Sequence, residues 1–280
     1  MVITSRTNPT VVQVAALKEK KYREEQGLFL LEGVKLFREA ISAGVVLESV
    51  FAVRERLPLC EGVLPAEKLT EVSPEVMDKL STERSPEGIV CAARYLRELH
   101  RFDAVYRAAD FSDGRRILLL SQMRDPGNLG AVIRSAAAFG TDELILSSDS
   151  ADLYNPKTVR AAMGTLFRQK ITYVSSLSDT VRAMREAGYR VCSALLDKNA
   201  ERLDRMKIDR KTAFVIGNEG HGVDPAVTVA AGNTVFIPMR EGVESLNASA
   251  AAAVFMWQSA VAVASEKNSG EALDKKGGAP

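Results

Sequence analysis

Three short segments in the second half of this chain carry residue types able to act on a small reactive group. Residues 121–140 place Asn128 and Arg134 six positions apart, behind an apolar run and a Pro126-Gly127 turn. An amide can orient a hydroxyl, and a guanidinium can steady negative charge developing on oxygen. Asn128 has the side chain of a helix N-cap. Six residues of helix rise about 9 Å, so the pair can flank one cleft if Asn128 sits in the loop ahead of the helix. An ordinary capped helix with a surface arginine fits the same residues equally well.

The second segment reads Ile216-Gly217-Asn218-Glu219-Gly220-His221-Gly222 and follows the apolar run Ala213–Ile216. Its Gly-x-x-Gly-x-Gly order is neither the dinucleotide fingerprint nor a P-loop. Three glycines at a strand end permit unusual backbone angles and let a flat ligand approach the main chain. Glu219 would be held rigidly in that loop; a carboxylate capping a nearby amide is the plainer reading. His221 has no orienting partner close in sequence and reads as a solvated loop residue. The third segment runs from Val235 through Ile237-Pro238-Met239 and a polar loop to Ser245, Leu246 and Asn247, where an alanine-rich helix begins. Ser245 is the expected cap of that helix.

These segments need a scaffold. Apolar runs at 117–120, 144–146, 191–195, 213–216 and 234–237 alternate with helical stretches, as in a mostly parallel sheet covered by helices. The first hundred residues also alternate. A helix is expected over 11–26 with Thr10 near its start, then strands at 28–31, 49–53 and 88–93 and helices at 34–43 and 72–80. A small α/β domain over 1–100 follows, then a helical linker at 101–115, a larger domain at 116–265 and a polar, disordered tail at 266–280.

The chain has 280 residues, 46% hydrophobic and 26% charged, with 37 basic against 36 acidic side chains. That composition excludes disorder of the whole chain and a nonspecific polycation, so any nucleic-acid contact must be a local patch. The strongest candidate is residues 1–23, where Arg6, Lys18, Lys20, Lys21 and Arg23 oppose Glu19 alone, a local charge of +4. Cys60, Cys91 and Cys192 are far apart and the histidines are only His100 and His221, so no metal site is expected. The N-terminus lacks a signal-peptide pattern and no run is long and apolar enough to span a membrane, so a cytoplasmic location is expected. No Gly-x-Ser-x-Gly elbow supports a hydrolase.

Together the three segments resemble the motifs of the SpoU family, the TrmH-like RNA ribose 2′-O-methyltransferases of the SPOUT superfamily. Asn128, Arg134 and Phe139-Gly140 match the first motif. Gly217, Glu219, Gly220 and Gly222 match the second. Ile237-Pro238-Met239 and Glu244-Ser245-Leu246-Asn247 match the third. One departure is visible: the family usually has glycine two residues after the methionine, where this chain has Glu241, with the glycine following at Gly242. Thr7-Asn8-Pro9, Lys20 to Arg23 and Phe29 to Gly33 are similar to the RNA substrate-binding domain often fused to these enzymes, itself like a small ribosomal protein. The resemblance covers about 260 of the 280 residues.

The resemblance implies a trefoil-knotted α/β catalytic domain with helices on both faces of its sheet, and a homodimer built through it. It implies methyl transfer from S-adenosylmethionine to a ribose 2′-hydroxyl of RNA, without metal. The cofactor would bind near Gly217, Ile237 and Leu246, with Ile216, Asn218, Gly220 and Met239 beside them. Arg134 would steady the 2′-alkoxide rather than take its proton, because an arginine holds its proton far above neutral pH. Asn128, Ser245 and Asn247 would orient the ribose, and Glu219 would hold Asn128 and Arg134 or fix the loop. The two-domain layout favours large-subunit (23S) rRNA by analogy. The alternatives are a tRNA ribose methyltransferase and an inactive RNA-binding homologue.

Overall fold

The computed structural model describes residues 2–274 except Lys198, Glu219, Glu241, Val243 and Glu244. It divides into two compact units, and the division is not a single cut near residue 100. The first unit is Met1–His100 together with Leu129–Ala131 and Asp152–Arg168; the second holds the rest.

In the first unit, β1 (Val2–Ile3), β2 (Leu28–Glu32), β3 (Leu47–Ala52), β4 (Leu69–Val72) and β5 (Ile89–Arg94) form a mixed sheet in the order β1-β4-β3-β5-β2. Its helices are α1 (Pro9–Ala16), α2 (Lys20–Gln26), α3 (Val34–Ser42) and α4 (Pro74–Leu80). Val11, Val14 and Leu17 recur at helical spacing and bury with Val76, Met77 and Leu80 against Leu30, Phe51 and Val90 of the sheet.

The single helix expected over 11–26 is two. Asn8, not Thr10, caps α1, its side chain accepting the Thr10 N–H at 3.0 Å, with Pro9 in the first turn. The break after Ala16 leaves carbonyls without helical partners, and Arg23 turns inward to meet them. Its guanidinium donates to the Leu17 and Lys18 carbonyls at 2.8 and 2.7 Å and pairs with Asp152. Arg23 is 1% exposed, which removes it from the expected phosphate patch. Lys18 is engaged too, donating to the Lys79 and Ser81 carbonyls at 2.8 and 2.6 Å. Of the five basic residues at this terminus, two are therefore committed to the fold.

The second unit begins with β6 (His100–Ala104), so the stretch expected as a helical linker supplies an edge strand. In chain order there follow β7 (Ile117–Leu120), α5 (Pro126–Phe139), β8 (Glu143–Ser147), α6 (Pro156–Ala162, which belongs to the first unit), β9 (Lys170–Val174), α7 (Leu177–Glu186), β10 (Arg190–Ala194), β11 (Glu201–Arg202), β12 (Thr212–Ile216), α8 (Pro225–Ala231), β13 (Thr234–Phe236) and α9 (Ala248–Asp274). α9 continues beyond residue 265, where a disordered tail is expected. Glu, Lys and Ala favour helix, so polarity alone does not end it. Residues 275–280 lie outside the described residues.

Among the described residues the second sheet has the order β11-β13-β10-β12-β7-β8-β9-β6 and is parallel from β11 through β9. Leu119, Val191 and Val215 bury with Val181, Met184 and Val227 from α7 and α8. Phe214 points to the other face, where it packs on Phe255 of α9 with ring centroids 4.8 Å apart. Helices thus cover both faces. From β7 the chain adds β8 and β9 on one side, then returns to place β12 and β10 on the other. Parallel sheets bind ligands at the carboxyl ends of strands beside such a reversal, and here those ends belong to β7 and β12. Helix α5 also meets α6 closely: a Cβ on Gly130 would lie 2.5 Å from the Ala161 Cβ and 2.6 Å from the Thr158 carbonyl oxygen.

One buried charge supports this sheet. Glu143, at the start of β8, is fully buried. It accepts hydrogen bonds from Tyr106, from Thr172 at 2.7 Å and from Arg115 at 2.8 Å, and Lys170 lies 3.3 Å away. Burial alone would raise its pKa. The hydrogen bonds from Tyr106 and Thr172 and the charges of Lys170 and Arg115 outweigh burial and hold the carboxyl below its ordinary value. A native pKa below the unfolded one stabilises the protein above the ordinary carboxylate range, and that stability is lost as pH falls through the native pKa. Glu143→Gln leaves Arg115 without its buried partner, so thermal or urea unfolding at neutral pH should show a loss of about 3 kcal/mol, shrinking toward zero at acid pH.

Candidate functional site

Main-chain hydrogen bonds stitch together the loops that leave β7, β8 and β12. The Ser121 N–H donates to the Ile216 carbonyl at 2.8 Å, and the Ser121 hydroxyl accepts the Asp224 N–H at 3.3 Å. Gln122 adopts a left-handed backbone with φ of 56°. Its N–H donates to the Ser147 hydroxyl at 2.8 Å, and its carbonyl accepts the Asn218 amide at 3.1 Å. Nothing in the sequence marks Gln122 for this role, because its conformation is imposed by partners distant in the chain.

The glycine loop closes on itself. Asn218 and Gly222 exchange N–H···O bonds of 3.0 and 2.9 Å, and the Asn218 side chain accepts the Gly220 N–H at 2.8 Å. A Cβ on Gly217 would lie 2.0 Å from the Gly222 carbonyl carbon and 2.2 Å from the Val223 nitrogen. Only glycine fits there. Glu219 lies outside the described residues, as does Glu241 of the third segment. The glycine displaced by one position in that segment, Gly242, has φ of 88°, a conformation suited to glycine.

The helix caps differ from those expected. Asp125 caps α5 by accepting the Asn128 N–H at 2.8 Å, which places Asn128 in the first turn of α5 rather than ahead of it. Asn247, not Ser245, takes the capping position of α9. Its side-chain oxygen accepts the Ser249 and Ala250 N–H groups at 2.9 and 3.3 Å and the Ser249 hydroxyl at 2.6 Å. The other end of that amide donates to the Asn128 side-chain oxygen at 3.1 Å. The first and third segments therefore meet amide to amide. Arg134 lies exposed further along α5 and does not line the cleft formed by the other two segments.

That cleft, of about 220 Å³, opens where β10, β12 and β13 end and α9 begins. Ile216, Gly217, Asn218, Ile237, Met239, Ser245 and Leu246 line it, so residues singled out from the second and third segments come together. Gly220 is one hydrogen bond away, through Asn218. Sequence reading missed Leu195, Leu196 and Phe255, which complete the walls. The apolar run ending at Leu195 is visible in the sequence, but only the strand order brings its end here. Leu196 is 66% exposed, unusual for leucine beside a concave site. Apolar walls facing each other over a glycine backbone suit a flat heterocycle, and main-chain groups of the glycine loop supply polar contacts. S-adenosylmethionine, which pairs an adenine with an amino-acid tail, fits that donor set. Among the described residues no group of three or more His, Cys, Asp or Glu is placed to hold a metal ion.

Comparison with known proteins bears on the same regions. Residues 115–257 match the SpoU rRNA Methylase family, and residues 8–91 match the MRM3-like substrate binding domain. The chain is 29% identical to the 23S rRNA (guanosine(2553)-2′-O)-methyltransferase RlmP of Bacillus subtilis, over 91% of this chain and 97% of that protein. A crystal structure of an RNA 2′-O ribose methyltransferase superposes with a TM-score of 0.78 at 29% identity, covering 94% of this chain and 99% of the other. An AdoMet-bound rRNA methyltransferase from Sinorhizobium meliloti gives 0.77 at 26% identity, covering 92% and 97%. A match over half the chain, on the segments that build the cleft, means that this protein belongs to the SpoU rRNA methylase family.

Proposed function

We propose that this protein transfers the methyl group of S-adenosylmethionine to a ribose 2′-hydroxyl of large-subunit (23S) rRNA. The observation that carries this reading is the cleft itself. Residues of the second and third segments line it, and its third-segment rim is bonded to the first segment through Asn247 and Asn128. The relatives named for a 23S rRNA substrate favour rRNA over tRNA.

When bound, S-adenosylmethionine would supply an electrophilic methyl group on its sulfonium sulfur, which leaves as a neutral thioether, and the 2′-hydroxyl proton would pass to water. The chain's residues do the rest. Leu195, Leu196, Ile237 and Leu246 exclude water from the cofactor. Gly217 lets the main chain come close to it. Asn128 and Asn247, locked together, orient the ribose, with Ser245 beside them. Arg134 steadies negative charge on the 2′-oxygen and the adjoining phosphate.

We place the protein in the cytoplasm as a homodimer formed through the second unit, whose SPOUT fold carries the family's trefoil knot. No helix among the described residues is long and apolar enough to cross a membrane. Val254, Trp257 and Val261 form an exposed apolar stripe along α9, with Trp257 51% exposed, which supports a subunit contact there.

Three experiments test these assignments. Labelled methyl transfer to total rRNA and to total tRNA should mark large-subunit rRNA, and Arg134→Ala should lower the rate by about a hundredfold or more while cofactor binding persists. Label in tRNA alone would overturn the substrate. Gly217→Ala forces a Cβ into backbone, so isothermal titration should show cofactor affinity falling by about tenfold or more. Trp257→Glu puts a charge in the apolar stripe, and sedimentation should show the dimer giving way to monomer; an unchanged dimer would move the contact off α9.

A further inference from the structure

The first unit carries a polar groove that methyl transfer at the cleft does not use. It has a volume of about 630 Å³ and is lined by Gln13, Gln26, Glu48, Arg94, Tyr95 and Arg97, among others. The two glutamine side chains are already paired, with the Gln13 amide donating to Gln26 at 3.2 Å. Paired amides in this arrangement keep a further donor and acceptor edge for a base. Arg94 and Glu48 are joined at 2.8 Å, with side chains 63% and 43% exposed, so the guanidinium keeps much of its face in solvent.

Tyr95 has a particular place in the groove. It is the outermost of three clustered rings, its own centroid 6.5 Å from that of Phe29. Phe29 is fully buried and lies 4.6 Å from Tyr154, also buried; Tyr154 in turn stacks on Tyr95 at 4.0 Å and 20°. Only the last ring, Tyr95, reaches the groove. Its backbone is fixed there, because its N–H donates to the Gly27 carbonyl at 2.9 Å and its carbonyl accepts the Arg97 N–H at 3.1 Å. Gly27 itself turns with φ of 64°. Burial first, then the charge of Asp152, raises the Tyr95 hydroxyl above its ordinary value, so the ring stays neutral beside a phosphate.

We propose that this groove holds one unpaired nucleotide of the RNA substrate, its base continuing the stack on Tyr95, its edge read by Gln13 and Gln26, and its flanking phosphates held by Arg94 and Arg97. The inference rests on the reading of this chain as an RNA-modifying enzyme. An aromatic end-plate, amides and guanidiniums within one groove are the elements that recognise splayed-out bases in single-stranded RNA. A duplex cannot use the plate, because its bases are stacked on one another. Glu48 opposes the phosphates and sets the sign of a second test.

The test uses the full chain and fluorescein-labelled single-stranded RNA of mixed sequence, with the same sequence as a duplex for comparison. Anisotropy titrations across salt read affinity and its salt slope, and circular dichroism checks each fold. The double variant Arg94→Gln, Arg97→Gln should bind single strands about tenfold more weakly, with a salt slope smaller by about 1.4, two phosphate contacts on a single strand. Glu48→Gln should bind more tightly. Thiouridine in the RNA should crosslink to the peptide containing Tyr95. Unchanged affinity and slope in the double variant, weaker binding by Glu48→Gln, or an equal effect on the duplex would overturn the groove. A wild type that methylates rRNA while affinity ignores these changes loses the groove and keeps the activity. A wild type that binds through the groove and transfers no methyl group keeps the groove and loses the activity.

Discussion

Backbone meets backbone at Gly217, where a single added carbon would overlap the Gly222 carbonyl carbon and the Val223 nitrogen. That approach lets the loop close at the end of β12, where Asn218 and Gly222 exchange main-chain hydrogen bonds, and it brings Gly217 and Gly222 to the lining of the cleft. Everything around it follows from keeping that loop in place. Asn218 ties it to the strained Gln122 carbonyl, and Ser121 ties the strand before it to the helix after it. Strain at Gln122 persists because three separate loops determine its position at once.

The same economy of polar groups separates residues committed to the fold from those left facing solvent. Arg23 and Lys18 satisfy carbonyls at a broken helix, and Glu143 sits in a buried network under the sheet. Each directs its charge at groups within its own unit, and Glu143, fully buried, is compensated on every side, as buried charges must be. Arg134, by contrast, stays exposed on α5, and the Arg94 side chain remains 63% exposed although paired with Glu48. With a net charge of +1 the chain has no general attraction for RNA. Where its remaining cations face solvent therefore matters more than how many there are.

Asn247 shows how one side chain can serve both ends. Its oxygen caps α9, and its nitrogen holds Asn128 in the first turn of α5. Helix start and site geometry are then the same constraint, and the loop between β13 and α9 cannot shift without moving both. Gly130 acts similarly on α5, since its contact with α6 admits no side chain.

The family, most element types and part of the cleft's lining were legible in the residues themselves. Apolar runs such as Ile117–Leu120 have few outcomes other than a buried parallel strand, and the motif residues carry their chemistry in their own side chains. Local chemistry was less decisive where neighbouring residues compete for one helix end. Asp125 and Asn247 won the caps that Asn128 and Ser245 were equally able to make. Long-range packing set the strand order that puts β12 beside β7 and brings Leu195 and Leu196 to the cleft. It also set the inward turn of Arg23, the unit to which Asp152–Arg168 belongs, and the stacking of Tyr154 on Tyr95. Those depend on partners up to 129 residues apart, as between Arg23 and Asp152, and no local pattern of residue types encodes which distant partner a side chain will meet.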